Sequence, residues 1–379
     1  HIISSSPVTQ VDITVVSDGS TDRTVELARK YVDQIHLIVF KENRGYGAAI
    51  KEAWEQSDAD LLGFLDADGT CDPAFFSQLC NVVAGEAADV ALGCRMNANS
   101  RMPWLRRMGN RLFASLLTVL SSSGVRDTAS GMRVVRRQSL GKLLPLPDGL
   151  HFTPAMSARA LMSKAVKIIE IDMPYYEREG ESKLRPGRDG LRFMKAIMDA
   201  AFLYRPARPL ALLGLFWLGV AITLMVMPTA YYLRDRSVQE WMIYRFVVSH
   251  LAGTLASLLF CASYLIQKMV KIALPDETHR NTRRSVLEWF FSRRLVWVVA
   301  PTLLVAGGLL VLPSFLELVR TGATYEHWSR FIAMSFCWSV AFILIVTWMV
   351  DYTLGLITAQ LAFIRSARTS DKEGFRRSP

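Results

Sequence analysis

Hydrophobic positions follow two different patterns, and the change falls near residue 205. Before it, short apolar runs alternate with charged stretches of helical character. "VDITVV" (11–16), "IHLIVF" (35–40), "ADLLGFL" (59–65) and "ADVALGC" (88–94) read as strands. Between them, "STDRTVELARKY" begins on hydroxyl and Asp capping residues, "NRGYGAAIKEAW" turns through Gly45 and Gly47 into a helix, and Pro73 opens another. Buried strands joined by helical crossovers predict an α/β domain with a mainly parallel, doubly wound, Rossmann-like sheet. Ligands of such sheets sit beyond the strands' C-terminal ends, where Asp18, Asp66 and Arg95 fall.

After residue 205 come four long apolar stretches, 209–233, 246–266, 295–316 and 331–350. Each has about 20 residues or more, enough at 1.5 Å per residue to cross a hydrocarbon layer of about 30 Å. They predict an all-α transmembrane domain of four helices. The stretch 189–209 carries Leu191, Phe193, Met194, Ile197, Met198, Ala201 and Phe202 at helical spacing among basic residues, and reads as an interfacial helix leading to the bilayer. The expected organisation is a soluble domain over 1–187, this helix over 188–208, the four-span domain over 209–366, and a tail over 367–379. Asp351, after the fourth apolar run, reads as a boundary residue with no charged partner apparent.

Charge sets the expected orientation. Seven basic residues lie between the second and third spans (Lys268, Lys271, Arg280, Arg283, Arg284, Arg293, Arg294) and five in the tail (Arg365, Arg368, Lys372, Arg376, Arg377). The other two connections hold three (Arg234, Arg236, Arg245) and two (Arg320, Arg330). The richer segments are expected inside, which makes this a multi-pass membrane protein with its soluble half cytosolic. The net charge of +10 then has anionic lipid head groups as counter-charge, and no nucleic-acid motif accompanies it. The five cysteines show no CxxC pair and read as reduced structural thiols. His151 and His250 stand alone and read as structural.

Candidate chemistry begins at "LLGFLDADGT" (61–70), where an apolar strand ends in two carboxylates one residue apart. An unpaired buried carboxylate is very costly. In an extended segment, side chains at i and i+2 point the same way, so Asp66 and Asp68 can converge on one hard cation whose remaining ligands are substrate phosphates. A solvated "DADG" turn is the alternative.

Taken together, "VVSDGSTDRT", "NRGYGAAI", "FLDADGTCDP", "GCR", "DTASGMRVVRR" and "EREGESKL" occur in the order found in glycosyltransferase family 2. They are most similar to its polyprenyl-phosphate branch, the dolichyl-phosphate mannose synthase-like enzymes. The resemblance covers roughly residues 10–185. It implies a GT-A fold and inverting transfer of a sugar from a nucleotide donor, GDP-mannose or a UDP-sugar, to a membrane polyprenyl phosphate, with Mg²⁺ or Mn²⁺. By position it implies that Asp18, with Gly19 and Ser20, contacts the nucleotide, that Asp66 and Asp68 hold the metal, and that Arg95 faces phosphate. Asp127, Arg133, Arg178, Ser182 and Lys183 match polar motifs around the acceptor phosphate and donor diphosphate, and Arg106 and Arg107 match a basic pair loosely. Three departures stand out: the family's first strand is expected to be missing, Ser17 stands where the family usually has Asp, and Tyr46 stands where many members have Lys, so it is assigned no phosphate contact.

The chemistry needs such groups. A metal and guanidinium groups stabilise charge building on a diphosphate leaving group. A phosphate monoester acceptor, with a second pKa near 6, is largely a dianion and needs positioning more than a strong base. Asp127 is therefore expected to orient Arg133 or Lys183, and the Gly-rich segment around Lys183 to close over the donor. Two other readings stay open: a membrane glycosyltransferase with a polysaccharide or other lipid acceptor, and a degenerate nucleotide-binding scaffold. Homo-oligomerisation also stays open.

Overall fold

The computed structural model describes residues 2–163, 165–178, 185–273, 286–292, 295–323 and 327–376. The chain forms two compact units, His1–Arg205 and Pro206–Pro379.

In the first unit a short helix α1 (Ile2–Ser5) is followed by β1 (Thr14–Asp18), α2 (Thr24–Arg29), β2 (His36–Phe40), α3 (Tyr46–Glu55) and β3 (Leu61–Phe64). Then come α4 (Phe76–Ala84), β4 (Val90–Cys94), α5 (Trp104–Ser121), β5 (Arg133–Arg136), α6 (Arg137–Leu143), α7 (Phe152–Met162), β6 (Ile168–Asp172) and α8 (Pro186–Tyr204). This is an α/β domain. The four expected strands are present, each a little shorter than its apolar run.

The sheet is not continuous. β1 pairs in parallel only with β2, and the other strands form a separate sheet in the order β3-β5-β4-β6. Within it β4 and β6 are parallel, while β5 runs antiparallel to both β3 and β4. All five residues of β4 are buried, which is why "VALGC" is apolar throughout rather than alternating. Three apolar clusters fill the domain. One includes Trp54, Phe64 and Phe152, whose rings meet at 5.8–5.9 Å between centroids. Each such buried side chain contributes about 1.5–3 kcal/mol.

Helix α8 covers the stretch read as an interfacial helix, and part of its apolar side is buried. Its Phe193, Ile197, Ala200, Ala201 and Tyr204 are buried, and from Ile197 onward they pack with Leu117, Leu120 and Leu161 of α5 and α7. Leu191, Phe202 and Leu203 of the same helix remain 74%, 46% and 41% exposed, and the first unit extends to Arg205.

In the second unit the described residues form α9 (Ala207–Asp235), α10 (Ile243–Ala273), α11 (Val286–Ser292), α12 (Val296–Thr321) and α13 (Trp328–Arg376). Four segments are long and apolar enough to cross a membrane: Ala207–Asp235, Glu240–Ala273, Val296–Thr321 and Trp328–Ile364. Asp351 departs from expectation. Its Oδ1 accepts from Lys268 Nζ at 2.5 Å and from the Tyr264 hydroxyl at 2.6 Å, tying α13 to α10. A second ion pair joins Lys271 to Glu288, and Phe291 stacks on Tyr264 with centroids 4.5 Å apart.

Candidate active site

The cleft of the first unit, about 1770 Å³, opens between the free edges of β1 and β3 and runs to the ends of β1, β3 and β4. Its inner part is apolar, with Val15, Ile50, Trp54, Leu62 and Phe64. Its polar part gathers Asp18, Ser20, Asp66, Asp68, Arg95 and Arg178.

Asp66 and Asp68 both line the cleft. Asp66 Oδ1 accepts a 2.7 Å hydrogen bond from the Tyr46 hydroxyl, and its other oxygen lies against Gly131. A Cβ at Gly131 would stand 2.1 Å from Asp66 Oδ2, so only glycine leaves the carboxylate its position. Asp68 Oδ1 accepts from the Thr70 hydroxyl at 2.6 Å, while Oδ2 lies 3.5 Å from Arg178 Nε. Burial pushes the Asp66 carboxyl above its ordinary value; the Tyr46 hydrogen bond opposes this, and the neighbouring charge of Asp68 adds to it.

Arg95, at the end of β4, is held by Asp127. Its Nε donates to Oδ2 at 2.7 Å and its Nη2 to Oδ1 at 2.9 Å, and its guanidinium lies 5.3 Å from the Tyr175 ring centroid. Asp127 is fully buried. Burial alone would raise its carboxyl, but the charge and hydrogen bonds of Arg95 outweigh this and hold it below the usual carboxylate range. Asn110 on α5 completes the network: Nδ2 donates to Asp127 Oδ1 at 2.8 Å, and Oδ1 accepts from the Thr128 hydroxyl at 2.7 Å. Asp127 therefore orients Arg95, where the sequence pointed to Arg133 or Lys183.

Arg133 does not line the cleft. It is fully buried, donating from Nε to the Ser130 carbonyl at 3.0 Å and from Nη2 to the Thr128 carbonyl at 2.9 Å. Its guanidinium braces the 128–130 loop. Burial pushes its pKa down to about 10.

Asp18 lines the cleft, yet both its oxygens are engaged. Oδ1 accepts from the Arg44 amide at 2.6 Å and Oδ2 from the Gly45 amide at 2.9 Å. Gly19 follows with φ +66, where a Cβ would stand 2.5 Å from the Asn43 nitrogen, so the "SDGS" turn requires glycine. Ser17 is buried and does not line the cleft. Ser182 and Lys183 lie outside the described residues.

Sequence reasoning missed Thr70, Asn110 and Gly131, and it noted Tyr46 without its hydrogen bond to Asp66. Only Gly131, inside "SGMR", carried a readable signal.

Asp66 and Asp68 fit a divalent cation. They are two acidic side chains close enough for the charge of Asp68 to push the Asp66 carboxyl up, at the end of a strand and among guanidinium groups suited to phosphate. Among the described residues no group of three or more His, Cys, Asp or Glu side chains gathers.

The model of the family described as "Glycosyl transferase family 2" matches residues 3–144. The chain is 34% identical over 172 residues to "Low-salt glycan biosynthesis hexosyltransferase Agl6" of Haloferax volcanii, covering 44% of this chain and 41% of that protein. It is 33% identical to a "Dolichyl-phosphate hexose transferase" of the same organism, covering 45% of this chain and 72% of that one. A "Polyprenol monophosphomannose synthase" of Mycolicibacterium smegmatis is 30% identical, with coverages of 46% and 70%. The chain thus spans less than half the length of the first of these relatives, and all three matches cover less than half of this chain.

Proposed function

This chain belongs to glycosyltransferase family 2, and on that premise we propose that it transfers a sugar from a nucleoside-diphosphate donor to a polyprenyl phosphate anchored in the bilayer, with inversion at the anomeric carbon. The observation that carries the reading is the meeting of Asp66, Asp68, Arg95 and Arg178 in one cleft. The relatives' printed activities support the acceptor class, and the four long apolar helices support an acceptor held by its lipid tail.

Asp66 and Asp68 would hold Mg²⁺ or Mn²⁺, which when bound neutralises charge on the departing diphosphate. Arg178 and Arg95 present guanidinium donors to the phosphates. Asp127 keeps the Arg95 fork in one orientation, so its donors are set before the substrate arrives. Tyr46 fixes the direction of Asp66, and Thr70 that of Asp68. The acceptor phosphate, mostly a dianion at pH 7, attacks without a strong general base. Lys183 and Ser182 are proposed to join the phosphates from the segment after Arg178, and Asp18, Gly19 and Ser20 to border the nucleotide. The basic residues between the second and third spans and in the tail support a cytosolic soluble unit.

The test gives membranes carrying the chain a nucleotide sugar, a polyprenyl phosphate and Mn²⁺, and follows product by mass spectrometry. A metal-dependent lipid-linked sugar is expected. If none forms with any common donor, while the protein binds the donor in a metal-dependent way, the acceptor assignment is wrong.

A further inference from the structure

The outer edge of the small sheet is open. β2 pairs with β1 alone, and the His36 amide donates to the Ile13 carbonyl at 2.8 Å. That bond turns the backbone of His36, Ile38 and Phe40 toward β1 and the backbone of Leu37 and Val39 outward. Among the described residues no hydrogen bond reaches the amides or carbonyls of Leu37 and Val39. Natural edge strands are blunted by Lys, Pro, a bulge or charged side chains. β6, the other outer edge, carries Glu170 and Asp172, both paired with Arg126. β2, "HLIVF", has no Lys or Pro, runs without a bulge, and leaves Val39 45% exposed. The helix and turn before it add Leu27, Tyr31 and Val32, which are 48%, 56% and 53% exposed.

A strand edge is satisfied by another strand, and β2 suits its own copy. Laid antiparallel about a twofold axis through Ile38, Leu37 faces Val39 of the second copy and His36 faces Phe40. The outward amides and carbonyls of Leu37 and Val39 then exchange hydrogen bonds in both directions. A slip of one residue would set outward groups against inward ones. The facing pairs are apolar, Leu37 with Val39 on either side and Ile38 with itself at the axis. Charge agrees. Exposed Asp33 precedes the strand and exposed Lys41 follows it, so antiparallel pairing brings each Asp33 beside the Lys41 of the other copy. A parallel partner would set like charges side by side. Four helices long and apolar enough to span a bilayer hold copies in one plane, which raises their effective concentration and favours a short interface.

We propose that β2 is a self-complementary docking edge through which two copies of the chain join their small sheets. The result is one continuous sheet in the order β1-β2-β2-β1. The cleft lies at the other edge of β1, so pairing leaves it open. The inference rests on backbone direction and charge, and holds whatever sugar or acceptor the enzyme uses.

The test oxidises the full chain in phosphatidylcholine vesicles at low protein-to-lipid ratio and follows disulfide-linked dimer with time. Ile38→Cys is expected to link, because facing residues at the axis bring their Cα atoms to about 4.5 Å. Val39→Cys is the more exposed site, yet its two copies stand about 8–9 Å apart. It should link at least about fivefold more slowly. A chain without added cysteine sets the background from the five native thiols. Asp33→Lys should slow linking at 38 by at least about threefold, and adding Lys41→Asp should restore it. No linking above background at 38 overturns the proposal, and so does linking at 39 as fast as at 38. Rates unmoved by the charge changes overturn the antiparallel pairing. Linking of Ile38→Cys to a different protein in native membranes, with none between purified copies, would give the edge to a foreign strand and also overturn it.

Discussion

Arg95 and Asp127 meet in a two-pronged pair, Nε to Oδ2 at 2.7 Å and Nη2 to Oδ1 at 2.9 Å, with the carboxylate fully buried. Thirty-two residues of chain separate them. The guanidinium thus reaches the cleft wall with its orientation already decided.

Breaking that pair from one side leaves a buried charge without its counterpart, which costs about 3–5 kcal/mol. Asp127→Ala should lower the unfolding temperature of the soluble unit sharply. Arg95→Met with Asp127→Leu should recover most of the loss and still abolish transfer. Thermal unfolding of both variants beside a transfer assay checks this, and equal destabilisation by the single and double changes would count against it.

The same pair sets an acid limit. Asp127 titrates below its ordinary value of 3.8, so its contribution is full above that pH and disappears as pH falls through the lower, folded-state value. Wild type should lose stability on acidification below about pH 4 more steeply than Asp127→Asn does. Unfolding midpoints in a pH series would reveal parallel curves if Asp127 were not responsible.

Asp68→Asn keeps the shape of the 66–70 turn and removes one of the two charges proposed to hold the metal. Transfer should fall by about 10²–10³-fold, the range for loss of one preorganised electrostatic group. The unfolding temperature should change little, because Asp68 is only partly buried. Protection of the protein by Mn²⁺ with nucleotide should vanish. An unchanged Mn²⁺ requirement would remove Asp68 from the site.

Gly131→Ala tests the backing of Asp66. The added methyl meets Oδ2 at 2.1 Å and the carboxyl carbon at 2.6 Å, so the carboxylate must move. A cost of about 1–3 kcal/mol is expected, together with a raised requirement for metal in the transfer assay. Normal metal dependence would mean that Asp66 tolerates displacement.

Much of this was legible in the sequence because length and periodicity leave few alternatives. The apolar stretches 209–233, 246–266, 295–316 and 331–350 match long helices to within one residue, and the ends of the four early strands lie within three residues of the ends of their apolar runs. Asp66, Asp68, Arg95 and Arg178 do share a cleft. What stayed hidden depends on tertiary partners. β5 is four residues bounded by arginines, so nothing in "RVVR" announces a central strand. Arg133 reads as a phosphate-facing cation until the carbonyls of Ser130 and Thr128 are seen to enclose it. The stripe on α8 looks uniform in sequence, and only packing shows that Phe193, Ile197 and Ala201 are buried while Leu191 and Phe202 are exposed. Asp351 looked unpaired because Lys268 lies 83 residues away.

That last pairing has a consequence for how the membrane unit is assembled. Leucine faces grip one another almost equally well at several rotational settings. A slip of one residue in α10 or α13 turns its side chains by about 100° and would strand Lys268 or Asp351 in an apolar setting. The pair therefore works as an indexing pin. A chain with leucine at both positions would keep its helices and lose the single alignment that distinguishes a machined joint from a greasy one.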